Sequence, residues 1–417
     1  MAISHQSSSS RHRVVIVGGG SAGIGVAASL LARKHDLDIA LIEPSDVHYY
    51  QPGWTMVGGG IFSAEDTARP MAKMIPRGVD WVRSRVISFE PDRERVLLED
   101  GSVISYDRLI VCPGLKLNWG GIPGLEETLG RNGVTSNYRP DLAPYTWKLV
   151  QQLKSGKAIF TQPGMPIKCA GAPQKAMYLS ADHWRRKGRL KNVSIDFCNA
   201  GGVLFGVPDF VPALMEYVKR YRANLRFNET LVGVDGAEKT ASFQTTEADD
   251  TKVVKKYPFD FLHAVPPQIA PDFIRESPLA DQVGWVDVDQ QTLRHKKFEN
   301  IFGLGDVTNT PNAKTVAAAR KQVPVVAHNL LVSLGLAQDT AIYDGYGACP
   351  LTVERGKIVL AEFAYGGKLA PTLPTALIRG TRPTRAAWFL KAHVLPTVYW
   401  KGMLKGHEWM AKPAFKV

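Results

Sequence analysis

The segment from His12 to Tyr50, HRVVIVGGGSAGIGVAASLLARKHDLDIALIEPSDVHYY, constrains this chain more than any other. Residues 14–17 are a short apolar strand, and Gly18, Gly20 and Gly23 follow with GxGxxG spacing. Residues 24–34 read as a helix with small residues on its packing side. Residues 39–42 make the next strand, closed by Glu43. Each part has a mechanical reason. The first glycine permits a tight turn, the second lets backbone approach a pyrophosphate, and the third lets helix and strand pack closely. The helix start, with Ser21 and Ala22, offers free N–H groups and partial positive charge to phosphate. Glu43 can accept hydrogen bonds from a ribose. Within a complete βαβ unit this pattern predicts a parallel α/β sheet that binds a dinucleotide.

Two later segments choose among dinucleotides. YDRLIVCPG, residues 106–114, is an apolar strand ending in a small-residue turn at Gly114. NIFGLGDVTN, residues 300–309, is another strand, ending in Gly305-Asp306. The pair resembles the signature segments of flavoprotein reductases with two dinucleotide-binding domains. The resemblance implies that Asp306 bonds the ribityl chain or phosphate of FAD. PNAKTVAAARKQVPVVAHNLL then predicts a helix whose start faces the flavin pyrimidine and favours negative charge on the reduced ring.

A second βαβ frame follows, with strands at 157–162 and 192–198 and a helix at 174–186 that Pro173 suits at its first turn. Its joining loop, GMPIKCAGAP, has no GxGxxG. The returning strand ends in Cys198-Asn199, with no acid for a ribose. Electrons are therefore expected from something other than NAD(P)H. Cys169 stands just before the helix start and beside Lys168, and both features lower a thiol pKa. Cys349 lies in a turn between Gly347 and Pro350. On composition alone both could equally be small buried apolar residues.

KCAGAPQKAMYLS and YDGYGACPL resemble the two redox-cysteine motifs of sulfide:quinone oxidoreductases. HYYQPGWTMVGGG, HAVPPQIAPD, GWVDVDQQTLRHKKFENIFGLGDVTN and VLAEF are similar to the same family in order. The nearest group is its type II branch, which includes the mitochondrial enzyme. The likeness runs from about Arg13 to about Phe415, with CPG at 112–114 departing from the usual turn. It implies two Rossmann-like domains, bound FAD, and catalysis by a Cys169–Cys349 pair. Sulfide would attack Cys349, leaving a persulfide there, and the displaced Cys169 thiolate would face the flavin. Electrons would pass to a ubiquinone-type quinone, and the sulfur to a small acceptor such as glutathione, sulfite or cyanide. The FAD contacts implied are Gly18, Gly20, Ser21, Ala22, Gly23, Glu43, Gln51, Val86, Gly114, Gly305, Asp306 and Lys314. Lys314 would lie near the flavin pyrimidine or the quinone. Cys112 and Cys198 are expected to pack, His263 to be structural, and Glu362 to be an exposed strand carboxylate. No metal site is signalled. The rival readings are a type II NADH:quinone oxidoreductase, a sulfide dehydrogenase with a cytochrome acceptor, and a non-enzymatic flavin-binding protein.

Charge sharpens the C-terminal reading. Of a net +12, residues 371–417 carry eight Lys or Arg against Glu408 alone. Pro396 would split this tail into two helical pieces. At 100° per residue, Tyr399, Trp400, Met403, Leu404, Met410 and Ala411 share one face, with Lys401, Lys405 and Lys412 opposite. That pattern predicts an amphipathic segment lying on a membrane surface. With no nucleic-acid module elsewhere, nucleic acid is not the expected partner. The expected organisation is a tail at 1–12, a discontinuous FAD domain at 13–118 and 265–345, and a second Rossmann-like domain at 119–264 without a nicotinamide site. A C-terminal segment at 346–417 completes it. Residues 1–12 contain no apolar stretch, which favours a bacterial inner membrane over a mitochondrial one. A homo-oligomer is compatible with all of this.

Overall fold

The computed structural model describes residues 9–246 and 250–416. The first domain is built on a seven-stranded sheet. Val79–Val82, Ile39–Ile42, Ser9–Val17 and Val103–Val111 run parallel in that spatial order. Arg95–Leu98 and Val86–Glu90 continue antiparallel from the start of Val103–Val111. Ile301–Gly303 pairs parallel with the end of the same strand, bringing Gly305-Asp306 beside the glycine loop. Helices Ser21–Arg33 and Val316–Ser333 cover this sheet, and its central strands are apolar and fully buried, as a sheet covered by helices requires.

The first strand begins at Ser9, so residues 9–12 of the expected tail belong to the sheet, while residues 1–8 lie outside the described residues. Ladder pairing to Val103–Tyr106 needs no apolar side chain, and Arg11 is anchored by Asp107 at 2.6 Å. The second domain is a parallel five-stranded sheet: Val134–Thr135, Phe261–His263, Gly156–Gln162, Val193–Asn199 and Ala223–Phe227. A three-stranded antiparallel sheet, Thr230–Asp235 to Lys252–Pro258, sits beside it.

The C-terminal segment is divided between the two domains. The hairpin Gly347–Glu354/Lys357–Phe363 packs Cys349, Leu351, Val353, Val359 and Ala361 into the second domain's core. The tail lies on the first domain instead. Pro396 does not break it: winding runs from Arg385 to Lys405, with π turns at Leu390–Val394 and Val398–Gly402. The Leu395 N–H reaches back to the Leu390 carbonyl, widening the coil just where a proline ring would meet the carbonyl four residues back. Such turns advance less than 100° per residue, so the projected stripe is distorted.

The expected lipid face is largely a packing face. Tyr399, Met403, Leu404 and Ala411 are buried, the first three of them in the first domain's core. Tyr399 shares its hydroxyl with Ser21 Oγ at 2.7 Å and His48 Nε2 at 2.6 Å. Met410 of that face does point outward, and the other exposed large apolar residues of the tail are Leu377, Phe389, Trp409 and Phe415. Tyr399→Ala is therefore expected to cost roughly 3–5 kcal/mol, as truncating a buried aromatic does. Thermal unfolding should report a lower midpoint, with flavin lost on gel filtration.

Candidate active site

The glycine loop is shaped for a dinucleotide. A Cβ on Gly23 would overlap the Gly18 carbonyl oxygen, whereas one on Gly20 would meet nothing within 4 Å. Gly23 thus serves helix–strand contact, and Gly20 faces open space where phosphate can approach. Glu43, at the strand tip, accepts the Gly19 and Ser45 N–H groups at 2.8 Å each and keeps lone pairs for a ribose. Val86 is buried in the core beneath, and Ala22 meets the Gly305 turn. Gly114 has a positive φ of 78° and open space around it. Cys112 packs its sulfur 3.5 Å from the Gly18 carbonyl, and Cys198 is buried in its strand.

A cavity lined by Asp306 and Tyr399 encloses about 510 Å³, within the range of small-molecule sites. Gln51, Asp306, Lys314, Lys168 and Cys169 line it. Trp54 Nε1 and the side-chain amide of Asn137 also line it and have no hydrogen-bond partner among the described residues. Buried polar groups left so cost about 1–3 kcal/mol each, which suits occupation by the polar edge of a flavin ring. These residues fit FAD. Burial pushes the Asp306 carboxyl upward. Lys314 is held inward rather than aimed at the cavity: its ammonium donates to the carbonyls of Asp306 at 2.8 Å and Thr308 at 2.7 Å. Burial brings it down to about 8. Its helix starts at Val316, capped by Thr315, later than the residue pattern predicts.

The two motif cysteines meet. Cys169 Sγ and Cys349 Sγ stand 3.1 Å apart as thiols, across 180 residues of sequence. Cys169 adopts a φ of 82°, an uncommon conformation for a residue with a side chain and the kind of strain that concentrates at functional sites. The hydrogen bond from Cys349, and then the Lys175 ammonium, hold the Cys169 thiol well below its ordinary range. Cys349 moves the opposite way, pushed up by giving that hydrogen bond and by burial.

The lysine at work is Lys175, not the expected Lys168. Lys175 Nζ lies 3.3 Å from Cys169 Sγ and 3.9 Å from Cys349 Sγ. Lys168 points away, to Gln51 Oε1 at 2.5 Å. In the sequence Lys175 shares a helix face with Tyr178 and Leu179, which places it beside the packed side but does not aim it at Cys169. Lys391 also lies in the cavity wall, donating to the Pro52 carbonyl at 3.0 Å. Burial first, and Lys175 second, bring it down to about 7.

The hairpin packs against the start of the second helix. At the N-cap of helix Ala172–Arg186, a Cβ on Gly171 would overlap Leu351 and lie 2.7 Å from Cys349 Sγ. Asn199, at the tip of the returning strand, spends its amide on Val203 and Gly201 of its own loop. His263 is structural, as expected: it is buried, accepts the Asn137 N–H at 2.9 Å, and is brought down to about 4 by burial.

Residues 12–162 match the family described as pyridine nucleotide-disulphide oxidoreductase. The mitochondrial sulfide:quinone oxidoreductase of Dictyostelium discoideum is 43% identical over 404 residues, spanning 96% of this chain and 87% of that one. That of Mus musculus is 37% identical over 405 residues, spanning 97% and 88%. The chain belongs to the sulfide:quinone oxidoreductase family. The solved structure of a sulfide:quinone oxidoreductase from Aquifex aeolicus has the same fold, with a TM-score of 0.77 at 20% identity over 95% of this chain and 92% of that one.

One expectation about this family member is corrected by the structure. Glu362 is buried, not exposed. Its strand is covered on both faces, by the second domain's core on one side and by Ile378, Ala387 and Trp388 of the C-terminal segment on the other. Glu362 lines the cavity and accepts from Tyr346 Oη at 2.7 Å and from the Thr372 N–H at 3.1 Å.

Proposed function

We propose that the chain is an FAD-dependent enzyme that oxidises hydrogen sulfide to sulfane sulfur and passes two electrons to a membrane quinone. The observation that carries this reading is the pair of motif sulfurs 3.1 Å apart, Cys169 on the cavity wall and Cys349 buried behind it, at a helix start against which the hairpin packs. Hydrosulfide attacks the Cys169–Cys349 disulfide at Cys349. The S–S bond breaks, a persulfide remains on Cys349, and Cys169 leaves as a thiolate beside Lys175. Leaving is favoured because a stabilised thiolate is the better leaving group. A small nucleophile such as sulfite, glutathione or cyanide takes the outer sulfur and frees the Cys349 thiolate. The two thiolates re-form the disulfide and release two electrons. FAD, bound along Gly18–Gly23, Glu43 and Asp306, supplies the two-electron acceptor between sulfur and quinone.

The cavity wall supports a quinone route. Leu390, Val394, Leu395, Val398 and Met410 line it, and Met410 is 55% exposed. Met410 thus carries the apolar lining to the surface, and Leu377, Phe389 and Trp409 of the same C-terminal segment are exposed as well, as are Arg379, Arg382 and Arg385. This is a site for a peripheral protein on a quinone-bearing membrane, docking by exposed apolar side chains with a basic surround. No helix among the described residues is long and apolar enough to cross a membrane. Combined Leu377→Ser, Phe389→Ser and Trp409→Ser is expected to abolish co-sedimentation with anionic liposomes while sulfide still bleaches the flavin. Undiminished sedimentation would refute this docking face.

The reading as a whole is tested by anaerobic titration of the flavin absorbance. Sulfide with sulfite should bleach it, NADH should not, and a short-chain ubiquinone should restore it. Bleaching by NADH alone would replace this function with the NADH:quinone one.

A further inference from the structure

The hairpin that carries Cys349 has two working faces. Its register sets Cys349 opposite Ala361 and Ala348 opposite Glu362. Side chains alternate along a strand, so Cys349 and Ala361 enter the second domain's core while Ala348, Pro350, Leu360 and Glu362 line the cavity. At the Glu362 end of the cavity stands a cluster that the sulfur chemistry does not use. Tyr346 Oη is 2.7 Å from Glu362 Oε1 and 2.8 Å from Thr372 Oγ1, and all three residues line the cavity. Tyr346 and Glu362 are buried, whereas Thr372 is half-buried beside exposed Pro371.

The charged and titratable groups around Tyr346 come from three elements. Lys321, on helix Val316–Ser333, lies over its ring at 5.4 Å, and Arg320 of that helix lines the cavity. Exposed Asp344 accepts the Tyr346 N–H at 3.0 Å, and Tyr343 donates its hydroxyl to the Tyr346 carbonyl at 2.6 Å. Glu362 faces Tyr346 from the hairpin. An apolar cavity thus ends in a phenol backed by a carboxyl and, past Thr372, by solvent.

We infer that Tyr346 and Glu362 are the proton-donating end of the quinone site. This rests on the quinone reading above. A quinone becomes a quinol by taking two electrons and two protons. Bound FAD would supply the electrons, and this chain must supply or relay a proton to the quinone oxygen. Tyr346 gives that proton to the quinone oxygen: its O–H bond breaks and the quinol O–H bond forms. Glu362, which accepts from Tyr346 Oη at rest, takes a proton from solvent on the Thr372 side and then passes it to the phenolate oxygen. The hairpin then separates two chemistries, sulfur exchange on one face and proton delivery on the other.

The test is the reoxidation half-reaction in stopped flow, on FAD-loaded protein bleached anaerobically by sulfide with sulfite. The two oxidants are a short-chain ubiquinone, which needs protons, and ferricyanide, which accepts electrons without them. Tyr346→Phe is expected to slow the maximal rate with quinone by about 10²-fold, the usual scale for losing a general acid. Bleaching by sulfide and reoxidation by ferricyanide should stay within about twofold, well below that scale. Glu362→Gln should slow the quinone step alone. Wild-type protein should show a solvent deuterium effect with quinone and none with ferricyanide, a readout that needs no variant to fold. The inference is overturned by an unchanged quinone rate, by equal slowing with both oxidants, or by a raised quinone requirement at full maximal rate. If quinone fails to reoxidise the wild type while ferricyanide succeeds, the quinone reading itself has failed.

Discussion

Cys349→Ser should leave FAD bound and lower the rate of flavin bleaching by sulfide at least about a thousandfold, the scale seen when a covalent nucleophile is removed. The argument is chemical. A serine oxygen at this place cannot form the S–S bond that sulfide attacks, and no other cysteine can replace it. Cys112 is packed against the Gly18 carbonyl, and Cys198 is buried in a central strand of the second sheet. Cys349 is only 1% exposed, so a serine hydroxyl there also costs about 1–3 kcal/mol. Cys349→Ala carries no such cost and should be equally inactive. Cys198→Ala should keep the activity. Stopped-flow absorbance with the flavin content measured beside it reads all three. Turnover retained in Cys349→Ala would remove the sulfur pair from the mechanism.

Lys175→Met should slow the same step at neutral pH and make it pH-dependent. Lys175 holds its proton beside the two sulfurs, and its charge is one of the causes that keep Cys169 low. Without it the thiol rises, while the hydrogen bond from Cys349, the larger cause, remains. A thiol at the ordinary value of about 8.5 is only about 3% thiolate at pH 7, so the expected loss is at most roughly thirtyfold there, recovered as pH rises. The wild type, already ionised, should be nearly flat over the same range. Lys175→Arg should restore most of the rate, since the charge remains. A Lys175→Met profile parallel to the wild type would show that the lysine acts only in packing.

Much of the fold was legible because backbone rules and apolar pattern dictate it. The glycine loop, the strand Ile39–Ile42 and the Gly305-Asp306 turn each follow from local geometry, and the second βαβ frame was bounded to within a residue or two. The tail was not legible, because an apolar stripe is the same whether lipid or protein covers it. Tyr399, Met403 and Leu404 cover the first domain, and the π turns around Pro396 shift the residues that remain outside. At the site, the cysteines were readable through their motifs, but the cation was not. Lys168 is the sequence neighbour of Cys169, yet its side chain goes to Gln51, while Lys175 returns one helical turn later to the sulfur. Glu362 was misread for a related reason: a short strand with alternating residues does not reveal that a later segment buries its second face.

The central claim is that Cys169 and Cys349 act as one relay, with sulfide sulfur captured on Cys349. The most direct measurement is the mass of the two cysteine peptides after one anaerobic equivalent of sulfide, with no sulfur acceptor, quenched by a thiol-blocking reagent. The account requires one added sulfur atom on the Cys349 peptide and a blocked Cys169. Flavin bleached by sulfide with no added sulfur on either peptide would contradict it.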